Sequence, residues 1–127
     1  VYGLNVRLKG AIAEGRAPAV IKVMTETVLE EIADYAHFEV LMGLDATLQH
    51  PTGYYESNVT KEPRGPGVIS VNDSGVIYGP WLEGTSSRNQ STSFKGYANF
   101  RRARNRVGQK AGAIAAATIQ RQMGALG

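Results

Sequence analysis

Cysteine is absent from this 127-residue sequence, which removes disulfides, thiol nucleophiles and thiolate zinc sites together. Histidine is scarce. His37 and His50 stand thirteen residues apart without a clustered set of acids, so helix-end or surface positions suit them better than metal or acid–base roles. No apolar run approaches the ~20 residues that span a bilayer, and no charged-then-apolar leader opens the sequence, so neither a membrane span nor a secretory leader is expected. Nucleotide-loop chemistry is missing too. Gly65-Pro66-Gly67 is not followed by Lys-Ser/Thr or by a helix start. Ser70 and Ser74 lack the strand–turn–helix elbow of a nucleophilic serine. No cofactor is implied.

What is present fits one modest globular domain, 1–127, with 43% hydrophobic residues. A net charge of +3 and a pI near 9.3 permit an acidic partner without demanding nucleic acid. Val1–Lys9 alternates, with Leu4, Val6 and Leu8 on one face, which predicts a half-buried strand. Gly10–Ala17 reads as a link. From Pro18, a first-turn proline, apolar residues recur at Ile21, Met24, Val28, Ile32 and Tyr35, then at Ala36, Val40, Leu44 and Leu48. The spacing predicts a helix of ~45 Å, longer than a small domain needs. Its first stretch is expected to pack on a sheet and its second, with Val40, to meet another subunit. Lys22 and Glu26 stand one turn apart as an ion pair, and Gly43 marks a bend. Glu30, Glu31 and Asp34 read as a solvated face.

His50-Pro51-Thr52-Gly53 ends the helix. Tyr54-Tyr55 reads as a helical turn or strand entry, Ser57–Lys61 as a short strand, and Pro63–Gly67 as a turn-dense loop. Val68–Val71 is expected to pair with a strand over Val76–Leu82 across the turn Asn72–Gly75. Gly79-Pro80 inside the second strand suggests an edge or a bulge. The fold class that follows is α+β: a long N-terminal helix and a C-terminal helix packed on a small, mainly antiparallel sheet. The closing helix runs from about Tyr97 to Gln122, with Phe100, Ala103, Val107, Ala111, Ile114 and Thr118 on one face. Gly108, Gly112 and Ala116 put small residues on another.

The most informative stretch is Val76–Ala103. The only Trp, Trp81, precedes Glu83 and a Gly84-Thr85 turn. Then come eight residues without one apolar side chain, Ser86–Ser93, inside a polar loop spanning 85–95. That loop is expected to project and to order only against another chain. Phe94, Tyr97 and Phe100 follow, read as a core anchor, and lead into Arg101, Arg102, Arg104 and Arg106. Glu83 has no companion acid or histidine close in sequence. It is read as a structural acceptor for turn amides or an arginine partner rather than a catalyst. The sequons at Asn58, Asn72 and Asn89 carry little weight without a leader.

Tyr78 with Leu82-Glu83-Gly84-Thr85, the Pro51-Thr52-Gly53 turn, the strands to Leu82 and the helix from Tyr97 together resemble the neck and tail-completion proteins of long-tailed bacteriophages with HK97-like heads. The resemblance covers nearly the whole chain, and its one compact motif is the Leu82–Thr85 segment. It implies a non-enzymatic virion component, made in the host cytoplasm and placed at the head-to-tail junction. Such a subunit would form a ring, a hexamer by that resemblance. The ring would contact connector and tail-tube proteins and surround DNA held without sequence preference. It further implies subunit contacts at Tyr78, Trp81, Glu83, Thr85, Arg88, Arg101 and Arg102, and channel contacts at Arg104, Arg106 and Lys110. Two other readings compete. One is a small basic nucleic-acid-binding module using Arg101–Arg106, and the other an enzyme using Glu83 and His50.

Overall fold

The computed structural model describes residues 3–7, 19–48 and 53–126. Pro18, the Gly10–Ala17 link, His50-Pro51-Thr52 and the side chains of Ile21 and Lys22 lie outside the described residues, and with them the expected Lys22–Glu26 pair.

Strand β1 (Gly3–Arg7) keeps the alternation of its sequence, burying Leu4 and Val6 while Asn5 faces out. It pairs antiparallel with β3 (Val68–Asn72), setting Val6 opposite Ile69 and Leu4 opposite Val71. Strand β2 (Thr60–Pro63) pairs antiparallel with the other side of β3, so the order is β1-β3-β2 and, among the described residues, both outer strands have an open edge. The hairpin is therefore β2–β3, closed over Arg64–Gly67 by the Arg64 amide donating to the Val68 carbonyl at 2.9 Å.

Helix α1 (Ala19–Thr47) crosses the sheet. Val28, Ile32, Ala36, Val40 and Leu44 recur every fourth residue and are buried, joined by Leu29 and Ala33 one position on. This is the stripe that an amphipathic helix turns to a core. Val40 is wholly enclosed and belongs to the core, not to a subunit contact as its position suggested, while Met24 is only half-buried. Helix α5 (Asn99–Leu126) runs antiparallel to α1, shown by the successive pairings Asn99–Thr47, Arg106–Glu39 and Arg121–Glu31. Phe100, Ala103 and Val107 complete the core between α5, α1 and the sheet. The α+β architecture of two long helices on a small antiparallel sheet is thus the observed one.

Helix α1 continues through Gly43 to Thr47. A Cβ on Gly43 would stand 2.6 Å from Asn99 Oδ1. The Asn99 amide nitrogen donates to Thr47 Oγ1, and Thr47 Oγ1 donates to the Gly43 carbonyl. Glycine leaves room for the Asn99 side chain, which seats the first residue of α5 on α1 at this point. Among the described residues no helix is long and apolar enough to cross a membrane.

The expected strand over Val76–Leu82 does not form. After β3, Ser74 and Gly75 turn the chain with positive φ. Short helix α2 (Tyr54–Asn58) carries Tyr55, whose hydroxyl donates to Asp73 Oδ2 at 2.9 Å, and the other Asp73 oxygen accepts the Gly75 amide. This buried carboxylate lies against Gly79, leaving no room for a side chain there. Pro80 then falls in the first turn of α3 (Gly79–Glu83), where its missing N–H goes unnoticed. The β-rich composition of Val76–Leu82 is overridden by an aspartate that captures the turn before it.

Candidate assembly interface

Glu83 ends α3, is 6% exposed, and accepts from two backbone amides of α5: Phe100 N–H to Oε1 at 2.9 Å and Arg101 N–H to Oε2 at 3.0 Å. A helix leaves its first amides without intrahelical acceptors, and a carboxylate at that end also meets the positive pole of the helix dipole. The residue before α5 is Ala98, with φ of 55° and no side-chain oxygen to cap with. Glu83 supplies the cap from seventeen residues upstream. Its reading as a structural acceptor holds, but the amides are those of α5 rather than of the Gly84-Thr85 turn, and no arginine shares it among the described ion pairs.

Two glycines make that reach possible. Gly84 (φ 103°) and Gly96 (φ 90°) pack backbone to backbone, and a Cβ on either would fall on the other strand of chain. The approach lets the Tyr97 amide donate to the Leu82 carbonyl at 2.6 Å and the Ala98 amide to the Glu83 carbonyl at 3.1 Å. Sequence reasoning missed this pair. The available signal was a Gly at each end of the polar loop.

That loop does not wait for a partner to order it. It contains α4 (Arg88–Ser91), and buried Asn89 donates to the carbonyls of Trp81 and Phe94 while accepting the Ser86 amide. Lys95 Nζ adds a bond to the Asn89 carbonyl at 2.9 Å. Eight polar residues are held because one asparagine uses both ends of its amide at once.

The remaining expected interface residues divide by surroundings. Trp81 packs on Phe94 (ring centroids 4.9 Å apart) with the Arg88 guanidinium 5.2 Å over its ring, and Phe94 meets Tyr97 edge-on. Tyr78 lies against Tyr55, half in solvent, and burial raises its pKa. Thr85 is exposed and donates weakly to the Pro80 carbonyl. Arg101 and Arg102 are exposed. The Arg cluster is not one face. Arg106 bonds to Glu39 at 2.8 Å on the α1 side, holding that carboxyl below its usual range, and Lys110 lies toward the same carboxylate. Arg104 instead lines a groove beside β1. His37 Nε2 sits 2.9 Å from the Val59 carbonyl, and His50 lies outside the described residues. Among the described residues, no three His, Asp or Glu side chains cluster as a metal site.

Around this frame, large apolar side chains stand in solvent: Tyr54, Tyr78 and Ile77, the last 97% exposed, with Phe38 and Met42 on α1. Comparison of the chain with protein-family models, curated protein sequences and solved structures finds no match.

Proposed function

We propose that this chain is a non-enzymatic structural subunit that assembles into a ring, and that the ring is the head-to-tail joint of a long-tailed phage. The observation that carries the assembly reading is the apolar knob at Ile77, Tyr78 and Tyr54. The chain has buried its core and pinned its polar loop, yet leaves these side chains in water. Such a patch on a folded domain is the mark of a protein contact. Glu83, the buried acid best placed for chemistry, is instead committed by both oxygens to backbone amides. The phage setting rests on the resemblance around Tyr78 and Leu82–Thr85.

Sedimentation velocity of the purified chain, with electron microscopy of the product, tests this. A closed ring with a central opening is expected. A strict monomer at every concentration would remove the proposal. A second reading, a basic nucleic-acid-binding module, is supported by Arg101, Arg102 and Arg104, exposed and without an acidic partner among the described ion pairs. It predicts a monomer whose DNA affinity falls steeply with salt.

A further inference from the structure

Charge is segregated along this chain. Eight of its fourteen Lys and Arg residues, and none of its eleven acids, follow Glu83. In space, two separate flanks of the subunit inherit the difference. Beside β1 runs a groove of about 480 Å³, walled by Leu4–Arg7, Val28, Ile32 and the α5 residues from Arg104 to Ala115. Four consecutive strand residues line it, although successive side chains point to opposite faces. The outer edge of β1, whose amides pointing away from β3 have no strand partner among the described residues, is therefore the wall. Among the described residues, Arg7 and Arg104 are the only charged ones lining the groove, and neither has an ion pair there.

The floor carries a second anomaly. Gly108 and Gly112 sit inside α5, where each weakens the helix by ~1 kcal/mol relative to alanine. A Cβ on either would meet nothing within 4 Å. The subunit's own packing does not call for these glycines. Something that approaches α5 closely would.

The opposite flank is acidic. Along the outer ridge of α1, Val23 (60% exposed), Glu26 and Glu30 stand beside the β2–β3 turn. Lys61 pairs with Glu30 and Asp34, Glu62 holds Arg64, and Glu26 is left with no described partner.

We infer that the β1–α5 groove receives the Val23–Glu26–Glu30 ridge of a second copy, so that copies join head to tail. This rests on the ring reading above and names the faces that meet. Val23 lies over Gly108 and Gly112, and the Glu26 carboxylate reaches Arg104, Arg7 and the free β1 amides. Because groove and ridge are different surfaces of the subunit, the contact is heterologous and makes a ring where the rotation between copies closes. An isologous contact through the groove would set Arg104 and Arg7 against their own copies, like charge on like.

Arg104→Glu and Glu26→Lys test this together, both at exposed sites, with unchanged thermal midpoints as the control for folding. Each variant alone is expected to need at least roughly tenfold more protein to assemble than the parent. An equal mixture should recover the parent oligomer, because the reversed groove of one variant accepts the reversed ridge of the other. Gly112→Leu should abolish assembly while raising the midpoint. If the parent forms a ring and both charge variants assemble like it, the inference fails and the ring reading stands. Disruption by each variant without rescue on mixing also overturns the groove–ridge pairing. So does stronger assembly of Arg104→Glu with no effect of Glu26→Lys, which marks an isologous contact. So does loss of duplex-DNA retention by Arg104→Glu at unchanged assembly, which marks a nucleic-acid face. A parent that never assembles removes both readings.

Discussion

The two halves of α5 are built on opposite terms. At the start, every device serves the subunit: Glu83 caps the Phe100 and Arg101 amides, Gly84 and Gly96 bring that cap into range, and Asn99 seats the helix on Gly43 and Thr47. From Gly108 onward the outward face has small residues with nothing over them, and Ile119 and Met123 stand in solvent. Glycine appears in both halves for different reasons. In the first it permits a contact within the chain. In the second it leaves a place for one.

The comparison can be broken most severely at Gly96. Gly96→Ala sets a methyl into the Gly84 backbone at a positive φ, so about 3 kcal/mol or more of stability should be lost in denaturant unfolding. A loss under about 1 kcal/mol would mean the two strands of chain part freely. Next comes the cap. Glu83→Ala leaves one buried and one half-buried amide unpaired and should lower stability by about 2–4 kcal/mol. Glu83→Gln keeps one acceptor oxygen and should lose roughly half as much. Equal melting of both variants and the parent would make Glu83 an ordinary surface acid.

The other half should answer with the reverse sign. Gly108→Ala with Gly112→Ala is expected to stabilise the isolated subunit by ~1 kcal/mol per site, because helix propensity improves and no neighbour is struck. Destabilisation would show that these glycines do serve the fold. The smallest effect concerns Arg106, whose hydrogen bond to Glu39 is the main cause of that carboxyl's lowered pKa. A carboxyl with a depressed folded-state pKa contributes stability above its unfolded pKa, roughly 4.3, and loses it as pH falls through the folded value. Arg106→Gln should flatten that part of the acid-unfolding curve by lowering stability at neutral pH and leaving it unchanged in acid, a small loss because Arg106 is exposed.

The regular elements were legible in the sequence because periodicity carries them. Leu4 and Val6 declared β1, the four-residue recurrence from Val28 to Leu44 declared α1, and Phe100, Ala103 and Val107 declared α5. The segment between β3 and α5 was not legible, since distant single residues decide it. Asp73 turns the chain and lies against Gly79, Asn89 bridges Trp81 to Phe94, and Glu83 reaches Phe100. None of these contacts has a period, and local composition points the wrong way: Val76-Ile77-Tyr78 reads as strand, Ser86–Ser93 as an unpinned loop. The role of Glu83 as an acceptor was legible from its isolation among Trp81, Leu82 and Gly84. Which amides it accepts was not.

Amide hydrogen exchange of the parent chain across a concentration series tests most directly whether α5 is folded by its first turn and reserved for a second copy along its middle. The Phe100 and Arg101 amides should be protected at every concentration, because Glu83 of the same chain holds them. The β1 amides that point away from β3 should gain protection only as copies associate, while the amides of Arg104–Ala115, already bonded within α5, should become further protected. Free exchange at Phe100 and Arg101 in the dilute subunit, or protection of the outward β1 amides that ignores concentration, would contradict the account.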